Sequence, residues 1–228
     1  MTADASVDPA RRGEILAAER SRAYQLFCTA LSYPEDDLCE AIRSGALSDA
    51  LHDVLSTLDE TLAQDTDWAA LRDAGADEDD LAVEFSRLFD VGASGPPCPL
   101  YGGLYFGARM KTMEEAVRFY NHFGLTLSDD PRELPDHLTT QLEFLHYLAF
   151  QEAQEVPRNG DAGPYQRAQR DFLARHPGRW VSKLRERVEG QKPAAYFLQL
   201  IRLLERFLAG ELARLSHEIG EPDRSTHA

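Results

Sequence analysis

The chain has 228 residues, 43% of them hydrophobic and 28% charged, which suits one soluble domain able to bury a core without staples. Its net charge of −15 argues against a nucleic-acid partner, whose phosphates reward a basic face. Three cysteines, Cys28, Cys39 and Cys98, form neither an even set nor a CxxC spacing. No disulfide framework or zinc site is indicated, and a reducing, cytoplasmic setting is expected.

Asp8-Pro9 predicts a helix start, and Tyr24, Phe27, Cys28 and Leu31 carry its apolar face to Tyr33, before Pro34. Arg11-Arg12 is not read as an export signal, because charges occupy the positions where an apolar core should follow. No stretch approaches the roughly 18 apolar residues of a membrane span. A short helix from Asp36 to Ser44 is closed by Gly45, and another from Leu47 to Leu62 uses Leu51, Val54, Leu55 and Leu58. After an acidic start, Leu81, Phe85, Leu88 and Phe89 define a helix to Val91. The stretch from Gly92 to Pro99 holds three prolines and two glycines, which excludes helix and central strand alike. It reads either as a plain linker between two helical halves, joined near 91–105, or as a ligand-lining loop.

Met113 to Phe123 is predicted helical, with Val117 and Tyr120 inward and Gly124 as its C-cap. Asp129-Asp130-Pro131 then turns the chain. Pro135-Asp136 announces the next helix, with Asp136 as N-cap and His137 at an exposed helix mouth. Leu138, Leu142, Leu145 and Ala149 repeat at helical spacing, and Phe144 and Leu148 widen the face, as expected of a helix packed on more than one side. Helices from Tyr165 to Arg175, Arg179 to Val188 and Pro193 to Leu215 complete the chain. The expectation is an all-α, single-domain bundle of about nine or ten helices over 8–218, with 1–7 and 219–228 as disordered tails.

The charge is unevenly placed, with a net of −10 from Asp53 to Asp90 and of +6 from Gly163 to Arg214. This is either a solvated acidic surface or a field that attracts a basic peptide. Nucleotide-binding, nucleophile-elbow and HExxH motifs are absent. Glu143 and His146 match half of a di-iron motif whose second copy is missing, so neither a metal nor a catalytic residue is assigned. From position alone Asp136 and His137 are a cap and a polar neighbour. As a recognition pair, Asp136 would accept a guanidinium and His137 would add a switchable donor. An alternative reading is an all-α small-ligand protein or enzyme with a pocket around Asp136, His137 and Glu143.

Pro135-Asp136-His137-Leu138 with Leu142-Glu143-Phe144-Leu145 resembles the signature of the TorD/DmsD/NarJ-like redox-enzyme maturation chaperones. Glu84 to Phe89, Pro99 to Tyr105, the run from Phe172-Leu173 through His176 to Trp180, and Tyr196-Phe197 to Phe207-Leu208 resemble its other segments in the same order. The resemblance implies a cytoplasmic chaperone, without chemistry or cofactor of its own. It would bind the apo catalytic subunit of a molybdopterin oxidoreductase, and its twin-arginine signal peptide, until export is safe. Carried over residue by residue, the implied client site is Phe85, Leu88, Phe89, Pro99, Tyr101, Asp136 and His137. Phe85 and Tyr101 stand where many members have Trp, Gln141 replaces a frequent Glu, and Pro177 interrupts a His-Leu pair, which implies a different client. The form of Cys98 to Gly103 is similar to chaperones of type II dimethyl-sulfoxide-reductase-family enzymes, such as those acting on dimethylsulfide, ethylbenzene, selenate or chlorate.

Overall fold

The computed structural model describes residues 8–77, 79–93, 95–107, 109–127, 134–158 and 160–222. The tail 1–7, residues 223–228 of the expected tail 219–228, and the turn at Asp129-Asp130-Pro131 lie outside the described residues. Ile219 still closes the last helix, and Arg170 Nη1 donates to Ile219 O and Gly220 O at 3.2 and 2.8 Å. The rest is all-α, with isolated bridges and no strand among the described residues. The helices are α1 (Pro9–Ala30), α2 (Asp36–Arg43), α3 (Ala46–Leu58), α4 (Glu60–Gln64), α5 (Asp80–Phe85), α6 (Arg109–His122), α7 (Leu138–Glu155), α8 (Gly163–Arg175), α9 (Pro177–Gly190) and α10 (Ala195–Ile219).

Local chemistry explains most boundaries. Asp8 caps α1 through Ala10 N at 3.3 Å, with Pro9 in the first turn. The helix stops at Ala30, a turn short of Tyr33. Gly45, at φ +84°, makes the left-handed turn that joins α2 to α3. The expected Leu47–Leu62 helix is broken at Asp59, which leaves helical geometry and caps α4 by accepting from Leu62 N at 3.0 Å. After α5 the chain continues as a π-helical turn over Ser86–Asp90.

α1 lies along α7, which also packs on α8, while α10 covers α8 and α9. This is the two-sided burial that the widened face of α7 requires: Leu138, Leu142, Phe144, Leu145, Leu148 and Ala149 are all buried. Each fully buried Leu or Phe contributes about 1.5–3 kcal/mol. Ala116 and Tyr120 form the buried side of α6, and Val117 is only half-buried.

A polar cluster pins this core. Arg20 of α1 lies 3.4 Å from Glu211 of α10 and 3.8 Å from Glu152 of α7. Gln166 and Gln169 donate to Glu152 at 2.9 and 2.8 Å, and Arg214 pairs with Glu211 at 2.8 Å. No helix among the described residues is long and apolar enough to cross a membrane.

Candidate functional site

The mid-chain loop is stitched to the start of α7. Gly102 N donates to Asp136 O at 2.9 Å and Leu138 N to Leu100 O at 2.8 Å, a short antiparallel bridge between Tyr101 and His137. Beneath it, Tyr105 OH donates to Pro99 O at 2.9 Å, and its ring stacks on Trp180 at 5.0 Å. Trp180 Nε1 donates to Gln141 Oε1 at 3.3 Å, and Gln141 Nε2 to Asp136 O at 3.4 Å. Gly102 is tightly constrained here, since a Cβ would stand 2.8 Å from Trp180 Nε1.

His137, not Asp136, is the N-cap of α7, its Nδ1 accepting from Thr139 N at 3.4 Å with Thr139 Oγ1 at 2.7 Å. The Asp136 carboxylate points the other way, and Oδ2 accepts from Gly103 N at 2.9 Å. Neither residue sits at an exposed mouth: Asp136 is 0% and His137 7% accessible. Asp136 Oδ1 is buried with no hydrogen-bond partner among the described residues. Burial raises the Asp136 pKa, opposed by the Gly103 N–H and the nearby Arg109. Burial lowers the His137 pKa to about 4, so His137 is neutral at neutral pH and not the switchable donor expected.

Phe85, Leu88 and Phe89 do share one face, but that face is in the core. Phe85 meets Phe89 at 5.1 Å, Phe89 meets Phe197 at 5.5 Å, and Phe85 meets the half-exposed Tyr33 at 5.6 Å. Leu88 O accepts from Cys98 N at 2.9 Å, joining the π-helical turn to the loop. Pro99 is also buried. Tyr101 is half-buried, with its ring 4.9 Å from that of His137 and the Arg109 guanidinium 5.7 Å above it. The structure therefore gathers Pro99, Tyr101, Asp136 and His137, and sets the three apolar residues behind them. Glu143 lies apart, exposed and facing α1, and the cavities it lines do not include Asp136 or His137.

One feature beside the loop escaped the sequence reading. Arg179 and Lys183 of α9 lie 4.0 and 5.1 Å from the Phe106 ring, and Arg187 lies 4.3 Å from that of Tyr105. Their i, i+4, i+8 spacing was the available signal. These cation–π contacts clamp the loop from outside.

The model of the nitrate reductase delta subunit family matches residues 44–186, and the chain belongs to that family, which includes the TorD- and NarJ-like proteins. It is 31% identical to a perchlorate reductase assembly chaperone protein of Dechloromonas aromatica, over 88% of this chain and 91% of the relative. A selenate reductase assembly chaperone protein of Thauera selenatis is 37% identical over 68% of this chain and 80% of its own length. A dimethyl sulfide dehydrogenase assembly chaperone protein of Rhodovulum sulfidophilum is 30% identical over 100% of this chain and 90% of the relative. Selenate and dimethyl sulfide are among the substrates of the branch to which the loop sequence is similar.

Proposed function

We propose that this chain is a dedicated assembly chaperone for the catalytic subunit of a molybdopterin oxidoreductase. It acts in the cytoplasm, holding the apo-subunit and its twin-arginine signal peptide until cofactor is inserted and export is safe. The observation that supports this reading is the likeness to assembly chaperones along about nine-tenths of two of them, the perchlorate and dimethyl sulfide relatives. The fold fits the role: a rigid helical body offers surface to a polypeptide. Its core spends the side chains of Asp136 and His137 on internal bonds. It performs no chemistry of its own. Binding is expected near the micromolar range, about −8 kcal/mol, since a client must be released.

The test is co-expression of the tagged chain with each molybdenum oxidoreductase subunit of its host, with and without cofactor supply. Capture of one apo-subunit, lost once the cofactor is loaded, is the expected result. Co-purification of a small molecule in place of a polypeptide would instead favour the ligand-binding alternative.

A further inference from the structure

The basic row on α9 carries more charge than clamping a loop requires. Arg179, Lys183 and Arg187 are all exposed, and none has a carboxylate within salt-bridge distance among the described residues. The chain has 39 acidic residues to offer against 24 basic ones, so the row is not unpaired for want of partners. Neighbouring cations are matched: Arg185 with Glu205 at 2.7 Å, Arg202 with Glu189 at 2.8 Å, and Arg206 with Asp65 at 3.1 Å. Glu186 and Glu189, the acids of α9 itself, are held by Arg185 at 3.6 and 2.6 Å. The row is left unneutralised beside the mid-chain loop.

Its geometry selects a partner. Four residues of α-helix advance about 6 Å, so the three charges span about 12 Å along the helix surface. Alternate residues of an extended strand stand about 6.6–6.8 Å apart and point to the same side. An extended segment with an acid at every second position therefore meets the row charge for charge. The aromatic rings also hold the cations in place. Arg179 and Lys183 lie 4.0 and 5.1 Å from Phe106, and Arg187 lies 4.3 Å from Tyr105, so less side-chain freedom is lost on binding. Leu104, next in the chain to Tyr105, is 43% exposed and offers apolar contact to residues that flank the acids.

We propose that Arg179, Lys183 and Arg187 dock an extended acidic segment of the client subunit's mature chain, alongside the junction of the loop with α7. This rests on the chaperone reading above and names a second contact for the same partner. The row repels a basic leader, so it adds a contact that the leader cannot make. A membrane or a nucleic acid presents charge over an area far wider than this row, and would meet the rest of a chain at −15.

The test is capture of the apo-subunit by the tagged full chain, wild type against Arg179→Gln, Lys183→Gln and Arg187→Gln combined. Gln keeps an aliphatic stem over each ring and removes the charge. Thermal melts and Trp emission should match the wild type, which shows that the loop has stayed in place. Capture should weaken about tenfold or more in the triple Gln variant, and stay within about threefold of wild type in Arg179→Lys with Arg187→Lys, which keeps all three charges. Added salt should weaken capture by the wild type more steeply than by the triple variant. A synthetic peptide with Asp or Glu at alternate positions should compete with the subunit, and its Asn/Gln counterpart should not. Undiminished capture by the triple Gln variant overturns the row. So does loss of capture together with red-shifted Trp emission, which would make the row a loop clamp alone. Binding of phosphatidylglycerol vesicles, or a wild-type dimer, that depends on the row while capture does not also overturns it. Each of these outcomes leaves the chaperone reading intact, whereas a wild type that captures no subunit overturns both.

Discussion

At the start of α7 two adjacent polar residues divide their tasks. His137 turns back to accept from Thr139 N, and Asp136 reaches 33 residues up the chain to Gly103 N. Asp136→Ala would leave that buried N–H without a partner, at a cost of about 1–3 kcal/mol, rather than the loss of a surface cap. Asp136→Asn can still accept the bond and carries no buried charge. Because burial raises the folded pKa above the ordinary 3.8, the folded state holds the proton more tightly than the unfolded chain. Stability from this group falls as pH rises through that window. The Asn variant should therefore be at least as stable as wild type at pH 7 and lack this fall, as urea titrations across pH 4–7 would show. Sequence places Asp136 before a helix but does not reveal a partner on a distant loop, so the N-cap falls one residue later than the pattern predicts. The same limit applied to Phe85, Leu88 and Phe89: helical spacing shows that they share a face, not whether solvent or Phe197 covers it.

His137 and His176 work in the opposite sense. Their folded pKa values are lowered by burial to about 4 and about 3, the latter helped by Arg175 and Arg179. Below 6.5 the unfolded chain takes up protons that the folded one refuses, so stability is lost as pH falls. With both histidines the slope approaches about 2.7 kcal/mol per pH unit between 6.5 and 4. His176 packs 4.5 Å from the Phe172 ring, and both its nitrogens are buried without hydrogen-bond partners among the described residues. His176→Phe should therefore raise the urea midpoint at pH 7 and roughly halve the acid slope. An unchanged slope would refute the assignment.

Among the elements, the loop from Pro99 to Tyr105 owes its shape to close approach on both faces. A Cβ on Gly103 would stand 2.7 Å from Arg109 Cα and 2.9 Å from Asp136 Oδ2. Gly103→Ala must push the loop off α7, at about 1–3 kcal/mol. Denaturant titration would read that loss, and Trp180, wholly buried under Tyr105, should shift its fluorescence to longer wavelength as the loop lifts. A variant with wild-type stability and emission would mean that the loop is not held this way. The helices themselves were largely readable, because amphipathic spacing is written locally in runs such as Phe197, Ile201, Leu204 and Leu208. The break at Asp59 and the π-helical turn after Phe85 were not, since the apolar spacing runs on across both. A start or stop written in one side chain's choice of partner is invisible to periodicity.

On the scale of the molecule, the central loop looks in sequence like a joint between two halves, yet the packing crosses it. α1 from the first half lies along α7 from the second, and α10 returns to the 70–72 turn and to α4. The Arg20, Glu152 and Glu211 cluster ties helices from the start, middle and end of the chain into one buried polar contact. Glu211→Leu should leave the buried Arg20 with only Glu152, and the half-buried Arg214 with only Glu218, costing up to about 3 kcal/mol. If the two halves are one cooperative unit, that loss must appear in a single transition, with circular dichroism and Trp fluorescence coincident. Trp68 reports the first half and Trp180 the second, so the comparison needs no added probe. A protease site placed in the exposed 91–93 segment extends the test. The nicked chains should co-elute in native buffer and separate only in denaturant, because the α1–α7 interface does not depend on the loop. Separation without denaturant, or two resolved transitions, would show instead that the loop joins independent domains.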